Sequence, residues 1–182
     1  MSTTDTTTAE PTLHTGTWVV EPAHSEVGFT VRHLGLSKVR GRFNRFTATA
    51  EISDPTTASS VQASIDMSSV DTNNVDRDGH LRSSDFFNAD ANPRMTFVST
   101  EVGEDVLVGD LTINGVTKPV ELDLEFHGVT VDGYGVTRAG FSAEGEIKRS
   151  DFGIDFNMPV GMDGMLISDK VHISLEIQLT PA

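Results

Sequence analysis

Asp85 follows His80 by five positions, and a carboxylate within reach of an imidazole is the simplest acid–base pair a chain can assemble. The same residue types cap helices and form surface ion pairs in most proteins, and nothing else here completes a catalytic set. The chain has no Gly-x-Ser-x-Gly elbow, no phosphate-binding glycine loop, no His-Glu-x-x-His and no cysteine. Its six histidines do not cluster at ligand spacing; His24 and His33, nine apart, point to opposite faces of a regular strand. The run Asp71–Gly79 carries the acids of a calcium loop, but Val75 and Asp76 stand where that loop needs an oxygen ligand and a glycine. A helix start capped by Asn73 or Asn74, with Asp76 and Asp78 near its positive end, accounts for the acids. His24, His33 and Arg149 remain as placed donors suited to the polar head of an amphiphile. A turn after Pro22 and a strand end explain the two histidines equally well. Arg149 is equally suited to pair with Asp151 or Asp85 and pin a helix against a sheet.

The chain has 182 residues, enough for one core that buries roughly 70% of the unfolded surface without disulfide or structural metal. No motif calls for a cofactor. Its formal net charge of −14 opposes the phosphate backbone of nucleic acid and the anionic face of a bilayer. No stretch approaches the roughly 20 apolar residues of a membrane span. The Thr-rich start has neither the basic residues nor the apolar core of a secretion signal, so a cytoplasmic location is expected. Residues 1–15 read as a disordered polar tail and 16–182 as one folded domain.

The elements that must position any site are strands. Val27, Phe29 and Val31 alternate with polar residues, as do Ala48, Ala50 and Ile52, then Val61, Ala63, Ile65 and Met67. Leu122, Leu124 and Phe126, then Phe141, Ala143, Gly145 and Ile147, and finally the row from Val171 to Leu179 continue the pattern. Parity slips between Phe43 and Phe46 and between Val108 and Leu111, and both slips read as bulges, the second helped by Gly109. Asn114-Gly115 and Asp132-Gly133 signal hairpins, while Asp54-Pro55 and Asn92-Pro93 mark further breaks. From Asn74 to Phe87 the pattern is that of a short helix. An all-β antiparallel barrel of about eight strands with one short helix follows, because closure removes the edges that long strands would expose. Several inward positions are small: Ala48, Ala50, Ala63, Ala143 and Gly145. In an eight-stranded barrel this is compatible with either a filled core or a cavity for one ligand.

Six segments resemble the YceI-like family of lipid-binding proteins: Trp18–Ser25, Val27–Gly35, Val39–Phe43, His80–Phe87, Gly109–Val120 and Ile147–Ile154. The resemblance spans Thr17 to Leu179. It implies an extended, lipocalin-like barrel that holds a polyisoprenoid, an isoprenoid quinone or a fatty-chain amide or acid and does no chemistry on it. Many bacterial relatives carry a secretion signal and work in the periplasm. On this reading the pocket lining comprises Phe29, Val31, Phe43, Phe46, Ile65, Phe86, Phe97, Leu111, Leu122, Phe141, Ile147, Phe152 and Met158, with His24, His33 and Arg149 as polar contacts. The competing readings are an enzyme acting on an isoprenoid, and a dry barrel serving as a surface interaction or dimer module. Homodimers are common among such proteins, and the sequence leaves that state open.

Overall fold

The structure, a computed structural model, describes residues 10–161 and 164–182. Period-two alternation yields strands β1 (Gly16–Val20), β2 (Glu26–His33), β3 (Ser37–Phe43), β4 (Phe46–Ile52), β5 (Ser60–Asp66) and β6 (Val70–Asp71). The helix α1 (Val75–Arg82) follows, then β7 (Arg94–Val102), β8 (Val106–Ile113), β9 (Val116–Val131) and β10 (Thr137–Lys148). A small hairpin, β11 (Pro159–Val160) and β12 (Gly164–Met165), precedes the last long strand, β13 (Lys170–Pro181).

Several short strands are halves of longer staves. Strands β1 and β2 both pair with β13 and are interrupted only by the turn at Pro22–His24. Likewise β3 and β4 pair with β2 and β1, and β5 and β6 pair with β4 and β3. Counted as staves, the sheet is an antiparallel meander of eight, closed where β13 meets β1 and β2. Closure leaves no long unpaired edge.

Both expected bulges are corrected. At Asn44-Arg45 the chain turns a corner: β3 ends at Phe43 and β4 begins at Phe46 with different neighbours, so parity restarts. In β8 there is no slip at all, since Leu107, Gly109, Leu111 and Ile113 form one buried row. Gly109 holds an inward position because the Phe97 ring lies over it; a Cβ there would sit 2.3 Å from that ring. The extra residue is on the partner strand, where β7 shifts register between Ser99 and Glu101. The Asn114-Gly115 turn has φ of 53° and 74°, the positive pair that a tight two-residue hairpin requires. Asp132 opens a longer loop and accepts from the Tyr134 and Val136 amides and from Arg138.

The helix starts at its predicted cap: the Asn74 side chain accepts from the Arg77 amide. Asp78 is buried and accepts from the Thr72 amide and hydroxyl at 2.8 and 2.6 Å, which fastens α1 to the end of β6. Of the acids in the Asp71–Gly79 run, Asp78 anchors the helix, Asp71 accepts from the Asn73 amide and the Asn44 side chain, and Asp76 stands in the first turn of α1. Residues 1–9 of the expected tail lie outside the described residues. Its remainder is not loose: Leu13 packs on the barrel and the His14 carbonyl accepts from the Trp18 indole at 2.9 Å. Trp18 is fully buried and, with Ala50, Ala139 and Leu179, fills the barrel at this end.

Three carboxylates tie down corners and are held below the usual range. Asp66 is lowered chiefly by the Ser68 hydroxyl, Asp71 by the Asn73 amide and Asp132 by Arg138. Groups with depressed folded pKa values contribute stability above their unfolded values near 4 and lose it as pH falls through the folded ones. The melting temperature is therefore expected to be level from neutral pH to about 5 and to drop below about 4. Melts recorded across that range check this; a loss of stability on raising the pH from about 5 to 8 contradicts it.

Candidate functional site

The inward rows do not fill the barrel. They enclose a cavity of about 1000 Å³, at the upper end of the roughly 300–1000 Å³ typical of small-molecule sites. The row Val171, Ile173, Leu175, Ile177 and Leu179 lines it along β13. Those positions span roughly 26 Å of strand, or roughly 20 Å along the axis once strand tilt is allowed for. The space is therefore long. Small residues create it: Ala48 faces Ala63 across β4 and β5, Ala63 faces Phe97 across β5 and β7, and all three line the cavity. Gly145, also counted as a small inward residue, is instead covered by Leu122, which lies 2.6 Å from where its Cβ would be.

The expected lining residues come from almost every stave. Phe29, Val31 and His33 reach the cavity from β2, Phe43 from β3, Phe46 from β4 and Ile65 from β5. Phe97, Leu111 and Leu122 do so from β7, β8 and β9, and Phe141 and Ile147 from β10. Phe86, beyond α1, and Phe152, beyond β10, close over the same end. Two expectations are corrected. Met158 points away from the cavity and is 53% exposed, because the chain has left the barrel wall for the β11–β12 hairpin. His24 sits in the turn between β1 and β2, where Nδ1 lies 2.8 Å from Glu21, outside the cavity.

Arg149 lines the cavity, but its expected pairing with Asp151 or Asp85 is not made. Nε donates to the Ser168 carbonyl, Nη1 to Ile154 and Phe156, and Nη2 to Ile167. The guanidinium thereby clamps two passes of the 154–168 segment to the end of β10. Burial pulls its pKa below the ordinary guanidinium value, against the opposing fields of Asp169 and Asp155. It stays charged all the same, since the ordinary value lies far above neutrality. Burial also pushes Asp169 up, but the Ser150 hydroxyl and amide outweigh this and hold it below the usual range. Asp85 instead meets His80, at 2.8 Å.

At the α1 end the lining carries Thr72, Arg77, His80, His33, Arg32 and Ser37; Thr56, Ser59 and Glu104 line the opposite end, and Thr47, Thr49 and Ser142 lie elsewhere along the wall. Arg77 donates to the Thr72 hydroxyl and carbonyl through Nε and Nη2. His80 presents its ring edge-on to Phe86 and Phe156, with centroids 5.0 Å apart in each case. The sequence reading did not place Arg77 or Leu81 at the site. Their spacing from His80 was the available signal, since positions i, i+3 and i+4 share one helix face. Among the described residues, no group of three His, Asp or Glu is arranged to hold a metal ion.

A closed antiparallel barrel around a long, mostly apolar cavity with cationic and imidazole groups at the α1 end has a lipocalin-like architecture. The YceI-like domain profile matches residues 18–179, and the chain belongs to that family. A UPF0312 protein of Staphylococcus epidermidis is 41% identical over 165 residues, covering 88% of this chain and 95% of the relative. Protein YceI of Escherichia coli is 46% identical, covering 74% and 73%. Among solved structures, the Campylobacter jejuni YCEI protein superposes with a TM-score of 0.69 at 34% identity, covering 89% of this chain and 96% of that one. A polyisoprenoid binding domain from Saccharophagus degradans shares the fold, with a TM-score of 0.65 at 16% identity, covering 91% and 98%.

Proposed function

We infer that this protein binds one long-chain apolar lipid in the barrel, a polyisoprenoid, an isoprenoid quinone or a fatty-chain amide or acid, and stores or carries it unchanged. The observation that carries this reading is the cavity itself: about 1000 Å³, long, and walled by aliphatic and aromatic side chains from the staves. Burying ten or more methylene equivalents at roughly 0.8 kcal/mol each supplies ample driving force without specific polar contacts. A fold neighbour described as polyisoprenoid-binding agrees with it. The lipid head belongs at the α1 end, where Arg77, His80 and His33 meet the cavity. Cationic and N–H donors there suit a carbonyl, carboxylate or phosphate head. A dry-barrel role is disfavoured by the same empty volume.

The His80–Asp85 contact at the cavity wall is the one observation that favours an enzyme. Both side chains are about half exposed, and the contact also ties the end of α1 to the turn after it. The two readings separate on incubation with a polyprenyl alcohol, an isoprenoid quinone and a fatty acid. Carriage predicts that each lipid retained is recovered with its mass unchanged, from both the wild type and Asp85→Asn. A product of altered mass that disappears in Asp85→Asn overturns carriage in favour of catalysis.

A further inference from the structure

The net charge of −14 conceals an uneven distribution. At the α1 end of the barrel Lys148 pairs across to Lys170, and Arg32 to Lys38. The His172–Thr30 pair brings Lys170 alongside Arg32, so the four cations form an exposed row across β10, β13, β2 and β3. Arg40 stands two positions below Lys38 on the same outer face. Among the described residues, Arg32, Lys38, Arg40 and Lys148 have no carboxylate within 4 Å, and Lys170 has only Glu146, at 3.5 Å.

Beside this row lies an apolar tip. The turn joining β2 to β3 exposes Leu36 by 79% and Leu34 by 39%. The Leu34 amide donates to the Leu166 carbonyl and the Leu166 amide to Met158, which sets the turn against the β11–β12 hairpin. That hairpin exposes Met158 by 53% and Met165 by 55%. Large side chains left in water on adjoining segments are a feature that a soluble surface ordinarily avoids. The tip is also continuous with the cavity, since His33, Ser37, Leu166 and Ile167 line it from within.

We propose that this end of the barrel docks on an anionic phospholipid bilayer, with Leu34, Leu36, Met158 and Met165 entering the headgroup region and the Lys148–Lys170–Arg32–Lys38 row facing lipid phosphate. The inference rests on the lipid-carrier reading and gives the ligand its route: the cavity meets the membrane at the end where Arg77, His80 and His33 line it. Apolar insertion combined with a basic flank is how peripheral proteins hold an anionic surface. The acidic body does not prevent this, because charges are screened over roughly 8 Å at physiological ionic strength and the cavity row alone extends roughly 20 Å along the barrel axis. Of the acids near the row, Asp169 accepts from Ser150, Glu146 pairs with Lys170, and Asp71 is held by Asn44 and Arg42, while Asp155 lies in the field of the buried Arg149.

The test is co-sedimentation of the full chain with vesicles of phosphatidylcholine alone and of phosphatidylcholine mixed equally with phosphatidylglycerol. Binding to the mixed vesicles is expected to exceed binding to the neutral ones and to fall when salt is raised to about 1 M, where screening acts within roughly 3 Å. Lys38→Glu with Lys170→Glu, and separately Leu36→Asp, should each weaken it about tenfold or more. None of these side chains lines the cavity, so lipid co-purifying with each variant should match the wild type. That measurement reads the carrier function independently of docking. Wild-type protein that keeps its lipid but ignores anionic vesicles overturns the docking proposal and leaves the carrier reading standing. So does binding that neither variant weakens.

Discussion

Ala63→Trp is expected to empty the barrel of lipid while leaving it folded. Ala63 is the inward residue of β5 that faces Ala48 on one side and Phe97 on the other, at the place where small residues keep the interior open. An indole there projects into free volume, so the strain of about 1–3 kcal/mol that accompanies overpacking of a filled core is largely avoided. What is lost is ligand: excluding four methylene equivalents at roughly 0.8 kcal/mol each removes about 3 kcal/mol, or more than 100-fold in affinity. Lipid content per mole of protein, measured beside the melting temperature, checks both halves. A variant that melts normally and retains lipid as the wild type does would show that the lipid lies elsewhere.

The second large effect is expected at Arg149. Removing the guanidinium in Arg149→Leu strands the carbonyls of Ile154, Phe156 and Ser168 and leaves that of Ile167 to Asn157 alone. Unsatisfied buried acceptors cost about 1–3 kcal/mol each when water cannot reach them, and partial relaxation leaves a net loss of about 3 kcal/mol. For a chain of this size that lowers the melting temperature by roughly 6–12 °C. Arg149→Lys should rescue little, since one ammonium cannot span acceptors that a planar fork reaches together. Amide exchange should quicken first between residues 154 and 168. A lysine variant as stable as the wild type would show that charge, and not the fork, is what this position supplies.

Much of this architecture could be read from alternation, because each stave buries one face and a strand has only two. The rows from Val27, Val61, Leu122 and Val171 all emerged as barrel wall, and the helix began at the asparagine that could cap it. Alternation misled where an inward position was filled by a neighbour's side chain. Gly109 looked like a slip because the apolar atoms occupying its place belong to Phe97. It also misled at Asn44-Arg45, where a corner and a bulge leave the same trace in one strand and only the identity of the partner strands separates them.

The cavity was half legible. Small inward residues permitted it, but whether large neighbours would close over them depended on register across several strands, which no local pattern carries. The polar end was harder still. Arg149 was singled out for its charge, yet its role is set by carbonyls that arrive from a loop with no sequence signature. His24 was drawn into the site by its place in a recognisable segment and Met158 by its hydrophobicity; the first serves a turn and the second faces water. Leu13, assigned to a polar tail, packs on the barrel because it immediately precedes His14, whose carbonyl is held by the Trp18 indole.

The barrel interior is expected to hold one long lipid. The most direct test is the native mass of the protein as purified, followed by denaturing extraction and accurate mass of whatever is released. The expected result is a stoichiometric long-chain species that leaves with denaturation. A clean apo mass, unchanged after addition of polyprenyl lipids, isoprenoid quinones and fatty acids, would contradict it.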